Sequence, residues 1–219
     1  PAAAKPLRIE KAGIVGAGTM GGGIAICFAN AGIPVTVLDT SDEALKRGLG
    51  VLEGTYDSMV KRGRLSPEDK AKRMGLIKGT TNYADLSEAD VIIEAVFENM
   101  ELKKKIFAEL DKVAKPGCVL ATNTSTLDVE KIGDATKRPQ DVIGLHFFSP
   151  ANVMPLLEIV RTPKTSAETI RTSVELAKPL KKTPVRMCAT ARPAKMAHRP
   201  MITRLMTQKC FLRRVSMSQ

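Results

Sequence analysis

No run in this 219-residue sequence is apolar for long enough to span a bilayer, and no segment has the layout of a cleaved signal peptide. The sequence thus carries no visible address. An intracellular setting is expected, and a bacterial cytoplasm, a mitochondrial matrix and a peroxisome all fit. Cysteine is sparse: Cys27, Cys118, Cys188 and Cys210 lack the spacing of a metal site or a redox pair, so reduced, individually buried thiols and no metal centre are expected. Histidine is scarcer still, with only His146 and His198. Acidic residues stop at Glu175, and the whole formal charge of +11 lies beyond that point. A neutral body with a basic end lacks the basic face of a nucleic-acid-binding fold, which argues against nucleic acid as a partner. The sequence does not begin with Met, and Pro1-Ala2-Ala3-Ala4-Lys5-Pro6 makes residues 1–8 read as a linker or the start of a fragment.

What is present is more specific. Between the apolar stretch Ala12–Val15 and a helical pattern lies Gly16-Ala17-Gly18-Thr19-Met20-Gly21, and Asp39 closes the next apolar run, Val35–Leu38. Each part has a physical job in holding a dinucleotide. Gly16 permits a tight strand-to-helix turn, Gly18 lets backbone approach a pyrophosphate without a Cβ in the way, and Gly21 lets the helix pack closely on the sheet. The helix start at Thr19 and Met20 offers unpaired N–H groups to the phosphates. Asp39 follows at the spacing of a carboxylate that binds a ribose 2′-hydroxyl, and it would repel a 2′-phosphate. The motif points to NAD rather than NADP.

Strand-like and helix-like segments alternate, as in an α/β domain with a mainly parallel sheet. Strands are expected near Ile9–Val15, Val35–Leu38, Ile77–Thr80, Val91–Val96, Cys118–Thr122, Val142–Phe147 and Leu156–Val160. The first helix is expected to reach Ala31, where Gly32 ends it. Thr40-Ser41-Asp42-Glu43 reads as a capping box, and Leu45, Leu49, Leu52, Tyr56 and Met59 then share one helical face. Arg62-Gly63-Arg64-Leu65 breaks that helix and Ser66-Pro67-Glu68-Asp69 starts another, so Leu45–Met74 is expected to project as a helical hairpin. Met100–Ala114 is expected to bury Leu102, Ile106, Leu110 and Val113, and a last helix spans about Ala167–Leu180. Beyond Pro184 the sequence turns rich in Arg, Pro and Met, with only a short amphipathic run at Ile202–Phe211. The expected architecture is a Rossmann-like, doubly wound sheet over 9–185, followed by a basic tail, 186–219, without a packed fold.

His146 ends the apolar run Val142-Ile143-Gly144-Leu145, and in open α/β sheets the carboxyl ends of the strands form the ligand crevice. Histidine is the usual proton acceptor near neutral pH. Glu158 lies inside Pro155-Leu156-Leu157-Glu158-Ile159-Val160, where an unpaired acid is costly to bury. If the connection folds back, Glu158 grips the imidazole, orients it and stabilises its protonated form. The alternative is an edge histidine and an exposed glutamate, and spacing alone weighs the two equally. Asn123-Thr124-Ser125-Thr126 brings an amide and hydroxyls to the same edge.

Four motifs in order, Gly16–Gly21, Glu94-Ala95-Val96-Phe97-Glu98-Asn99-Met100, Asn123-Thr124-Ser125 and His146-Phe147-Phe148-Ser149-Pro150, closely resemble the NAD-binding domain of the L-3-hydroxyacyl-CoA dehydrogenases. That family includes 3-hydroxybutyryl-CoA dehydrogenases and the dehydrogenase part of multifunctional fatty-acid oxidation enzymes. The likeness covers about Ile9–Val185 and implies oxidation of the 3-hydroxyl of an acyl-CoA, with hydride passing to NAD. By position it makes His146 the general base, Glu158 its orienting partner and Ser125 a hydrogen-bond donor to the reacting oxygen. It puts Asp39 on the adenosine ribose and Ala95, Glu98 and Lys103 on the nicotinamide side, with Val96 and Asn123 in the same cofactor-binding set. From the residues alone, Lys103 reads equally as a solvated member of Lys103-Lys104-Lys105. The hairpin meets CoA in this family, which makes Ser58, Lys61, Arg62 and Arg64 candidates for that contact, against a reading as ordinary surface residues. Full-length members are dimeric or part of a larger multifunctional enzyme.

Past Pro184 the resemblance ends. The family continues into a Gly-Phe-x-x-Asn-Arg-type segment and a helical domain that closes over the substrate, and neither has a counterpart here. The asparagines are Asn30, Asn82, Asn99, Asn123 and Asn152, so the family's catalytic asparagine has no equivalent. The sequence therefore reads as a truncated or aberrant form, from a reading-frame change or an altered terminus, with His198 incidental. Two functions are expected to compete: the dehydrogenase, and an NAD-binding module without turnover.

Overall fold

The computed structural model describes residues 5–188. The Ile202–Phe211 run, His198 and Cys210 lie outside the described residues. Within them, β1 (Ala12–Val15), β2 (Val35–Leu38), β3 (Ile77–Thr80), β4 (Val91–Glu94), β5 (Val119–Thr122), β6 (Val142–Phe147), β7 (Leu156–Arg161) and β8 (Thr183–Cys188) form one sheet, in the order β3-β2-β1-β4-β5-β6-β7-β8. The strands from β1 to β6 run parallel, β7 runs against β6, and β8 follows β7 in parallel. Every residue of β1, β4 and β5 is buried, as expected for parallel strands covered on both faces.

The helices are α1 (Thr19–Asn30), α2 (Asp42–Lys61), α3 (Pro67–Met74), α4 (Met100–Val113), α5 (Val129–Gly133) and α6 (Ala167–Ala177). Ile24, Phe28, Leu52, Tyr56 and Leu176 belong to a core on one face of the sheet, and Ile106, Phe107, Leu110 and Ile132 to the other. Full burial of each large apolar side chain contributes about 1.5–3 kcal/mol before ordering costs. The Ser41 side chain caps α2 by accepting the Ala44 N–H, and Ser66 caps α3 by accepting the Asp69 N–H with Pro67 just inside the start. The hairpin of α2 and α3 is tied back to the end of α1: the Tyr56 hydroxyl and the Arg73 guanidinium both donate to Asn30 Oδ1, at 3.1 and 2.8 Å.

Three expectations need correction. The buried face of α4 is Lys103, Ile106, Phe107 and Leu110, while Leu102 is exposed. The helix is turned because Lys103 finds a carboxylate inside. The sheet also runs past the expected boundary at 185. Thr183–Cys188 pairs with β7 along its length, from Leu156↔Thr183 to Arg161↔Cys188, so a ladder orders a segment whose own side chains are mostly half-exposed. Pro184 is tolerated because β8 is an edge strand. Finally, Cys27 and Cys118 are buried but Cys188 is exposed on that edge. Among the described residues, no helix is long and apolar enough to cross a membrane.

Candidate active site

The winding of the sheet reverses between β1 and β4, which opens a crevice beyond their carboxyl ends. Gly16 leaves β1 with φ +102, and a Cβ there would come within 3.0 Å of the Ala95 carbonyl oxygen beyond β4. A Cβ at Gly21 would lie 1.8 Å from the Gly16 carbonyl oxygen, so helix and turn close on each other only through glycine. Gly18 is different. Its φ of −70 suits any residue and a Cβ there would meet nothing within 4 Å, so the fold itself makes no demand for glycine. A phosphate approaching from that open side would. Gly18 is the N-cap of α1, no side chain caps the helix and no acid lies in its first turn, which leaves the N–H groups at Thr19, Met20 and Gly21 available to an anion. Asp39, at the end of β2, is fixed against this turn: Oδ2 accepts the Ala17 N–H and Oδ1 the Thr40 N–H, both at 2.7 Å. These residues fit a dinucleotide.

The two glycines should respond differently to alanine. Gly21→Ala is expected to destabilise the fold by about 1–3 kcal/mol through overpacking. Gly18→Ala should leave stability within about 0.5 kcal/mol while weakening NAD. Urea unfolding and NAD titration of both variants check this.

At the end of β4, Glu94 forms a buried ion pair with Lys103 of α4, Nζ to Oε1 2.6 Å, with side chains 0% and 1% exposed. The carboxylate is otherwise satisfied, with Oε1 accepting the Val96 N–H at 2.8 Å and Oε2 the Thr122 hydroxyl at 2.7 Å. Lys103 is therefore not a solvated member of its lysine run. The pair with Glu94 was missed from sequence, although an acid closing Val91-Ile92-Ile93 was its signal.

Glu98 stands next to this pair, 3.6 Å from Lys103 Nζ. Its Oε1 gathers the loop after β5, accepting the Thr124 hydroxyl at 2.6 Å, the Ser125 and Thr126 N–H groups at 3.0 Å, and the Ser125 and Thr126 hydroxyls at 3.3 and 3.1 Å. Burial raises the Glu98 pKa, but the Thr124 and Thr126 hydrogen bonds and the Lys103 charge outweigh it and lower the pKa to about 2. A carboxylate with a depressed pKa stabilises the fold fully above its unfolded value and loses that contribution as pH falls through the folded value. The Glu98 contribution should thus be complete above the ordinary 4.5 and vanish toward about 2. Acid unfolding of Glu98→Gln against the parent checks it: the parent alone should lose this component across that window.

His146 and Glu158 face each other directly across β6 and β7. Nδ1 lies 2.9 Å from Oε2, with side chains 17% and 12% exposed. The fold-back alternative is the one the structure adopts. With the carboxylate accepting Nδ1–H, Nε2 holds the lone pair of the neutral ring. Phe148 packs on the imidazole at a centroid distance of 4.4 Å. The Phe147 N–H donates to Asn123 Oδ1 at 2.8 Å, and the Asn123 N–H donates to the Glu94 carbonyl at 2.8 Å. The histidine strand is therefore pinned to the Asn123–Ser125 loop and, through it, to β4.

Ser58, Lys61, Arg62 and Arg64 are exposed and stand apart from this edge. Tyr56 marks where α2 meets the far end of α1, a 12-residue helix about 18 Å long that begins at the glycine turn. Among the described residues, no cluster of three or more His, Cys, Asp or Glu side chains could hold a metal ion.

Comparison with known proteins bears on this geometry. The family described as "3-hydroxyacyl-CoA dehydrogenase, NAD binding domain" matches residues 11–190. A peroxisomal fatty acid beta-oxidation multifunctional protein of Arabidopsis thaliana is 44% identical over 180 residues, covering 82% of this chain and 25% of that protein. A fatty acid oxidation complex subunit alpha of Psychrobacter cryohalolentis is 41% identical over 177 residues, covering 81% and 25%. The chain thus spans about a quarter of the length of these curated relatives. Among solved structures, an (S)-3-hydroxybutyryl-CoA dehydrogenase from Ralstonia eutropha superposes with a TM-score of 0.82 at 39% identity, covering 84% of this chain and 65% of that one. With the glycine turn, the Asn123–Ser125 loop and the His146–Glu158 pair all in place on a matching fold, the chain belongs to the 3-hydroxyacyl-CoA dehydrogenase family and carries its NAD-binding domain.

Proposed function

We propose that this chain supplies the NAD-binding and proton-transferring part of the oxidation of an L-3-hydroxyacyl-CoA to the 3-oxoacyl-CoA. The observation that carries the reading is the His146–Glu158 pair, 2.9 Å apart on the strand edge that also bears the glycine turn. His146 takes the hydroxyl proton at Nε2, and Glu158 keeps Nδ1 protonated, orients the ring and stabilises the imidazolium that forms. The Ser125 hydroxyl hydrogen-bonds the reacting oxygen, and Glu98 sets the height of its loop. Asp39 takes the adenosine ribose, and Gly16, Gly18, Thr19, Met20 and Gly21 form the pyrophosphate cradle. Ala95, Val96, Glu98 and Asn123 border the nicotinamide side, where Lys103 acts by its charge from within. NAD, when bound, supplies the hydride acceptor. Ser58, Lys61, Arg62 and Arg64 meet CoA at the outer end of the hairpin. The setting is intracellular, within a dimer, as the family resemblance implies, or within a larger multifunctional enzyme, as the relatives' names suggest.

A second reading, an NAD-binding module without turnover, is favoured by the residues that follow β8, since 189–219 hold no asparagine where the family resemblance implies a catalytic one. One experiment separates the two. NAD is titrated by calorimetry, and NADH formation is then followed with L-3-hydroxybutyryl-CoA. Binding with turnover supports the dehydrogenase, binding with a zero rate supports the module, and no NAD binding sinks both.

A further inference from the structure

Away from the NAD crevice, a cleft of about 240 Å³ lies between the end of α1, the end of α3, the connection from β6 to β7 and the turn after α6. Its lining includes Arg73, Lys181 and Lys182 with Asn30 and Asn152, and no acidic residue. Lys182 is 9% exposed, and its ammonium donates to the carbonyls of Ala151 and Met154 at 2.5 and 2.8 Å. Among the described residues, no carboxylate pairs with Lys182, Lys181 or Arg73. Two carbonyls and the Cys27 thiol give this buried cation neutral partners but no counter-ion, a cost that an anion relieves. Arg73 directs Nη1 to Asn30 Oδ1, which leaves most of its guanidinium fork unassigned. Lys181 lies in the turn that ends α6. It is the non-glycine residue with positive φ among the described residues, at +54. That left-handed conformation closes the end of α6, with the Lys181 N–H on the Lys178 carbonyl and the Lys182 N–H on the Ala177 carbonyl at 2.9 and 2.8 Å, and it fixes both lysines at the cleft.

We infer that this cleft binds a phosphate group. The guanidinium of Arg73 offers two parallel N–H donors to phosphate oxygens, Lys181 closes the outer side, and Lys182 supplies charge from below. At about 30 Å³ per water, the space holds roughly eight waters, enough for a phosphate that keeps part of its hydration. The phosphate comes either from a CoA-type nucleotide or from free inorganic phosphate. Neither source depends on His146 chemistry, and neither uses the glycine turn.

The full chain is titrated by calorimetry at constant ionic strength with inorganic phosphate, CoA and dephospho-CoA, and separately with NAD. Saturable binding of a phosphate probe is expected, weakened about tenfold by Arg73→Gln. Lys181→Gly should weaken it about threefold while suiting the backbone, so loss of fold does not cloud the result. NAD affinity should be unchanged in both variants. CoA binding that is tighter than dephospho-CoA and is weakened by Arg73→Gln assigns the phosphate to the nucleotide, and equal binding of inorganic phosphate that the same variant weakens assigns it to the free ion; each supports the site. Failure of every probe to saturate in the millimolar range overturns it, as do two variants that bind like the parent.

Discussion

Replacing Lys103 by methionine should cost about 3–5 kcal/mol of folding stability, because it strands a buried carboxylate. Glu94 would keep only the Thr122 hydroxyl and the Val96 N–H, in a position with no exposure to water. Exposed ion pairs rarely contribute more than about 1 kcal/mol, so the result distinguishes an internal pair from a surface one. The double variant Glu94→Gln with Lys103→Met should recover much of the loss, since no buried charge is then left unpaired. Equilibrium urea unfolding of the parent, both single variants and the double variant measures this. A Lys103→Met protein within about 1 kcal/mol of the parent would show that the pair opens to water.

Under the proposed dehydrogenase function, His146→Gln is expected to lower kcat/KM about 10²–10⁴-fold, the range that a positioned general base supplies, with NAD affinity unchanged. Glu158→Gln should do less to the ring's position than to its charge. The amide can still accept Nδ1–H but cannot stabilise the imidazolium, so the loss should fall mainly on kcat. Turnover with L-3-hydroxybutyryl-CoA, set beside NAD titration, reads both. If the His146 variant retained parental turnover, the proton would have to leave by another group.

The relation between sequence and structure differs from element to element. Strands β1, β4, β5 and β6 were readable because burial on both faces demands unbroken apolar runs. The glycine turn was readable because backbone geometry and side-chain size act there at fixed positions. His146 and Glu158 could be proposed as partners but not joined, since only the antiparallel register of β6 and β7 sets them opposite. Strand β8 escaped notice because its order comes from the β7 ladder, not from its own side chains. Lys103 was ambiguous because three consecutive lysines look solvated; the phase shared with Ile106, Phe107 and Leu110 decides which one turns inward. The phosphate cleft was invisible, since α1, α3 and the turn after α6 meet only through the tertiary fold.

The reversed direction of β7 makes the imidazole unusually sensitive to the length of the preceding connection. Side chains along a strand point alternately to the two faces, so a slip of one residue moves every one of them to the other side. Adding or deleting a single residue between Phe148 and Pro155, if the ladder shifted to absorb it, would offer Leu157 or Ile159 to the ring in place of an acid. Loop length in this short stretch is therefore under the same chemical constraint as the identity of residue 158.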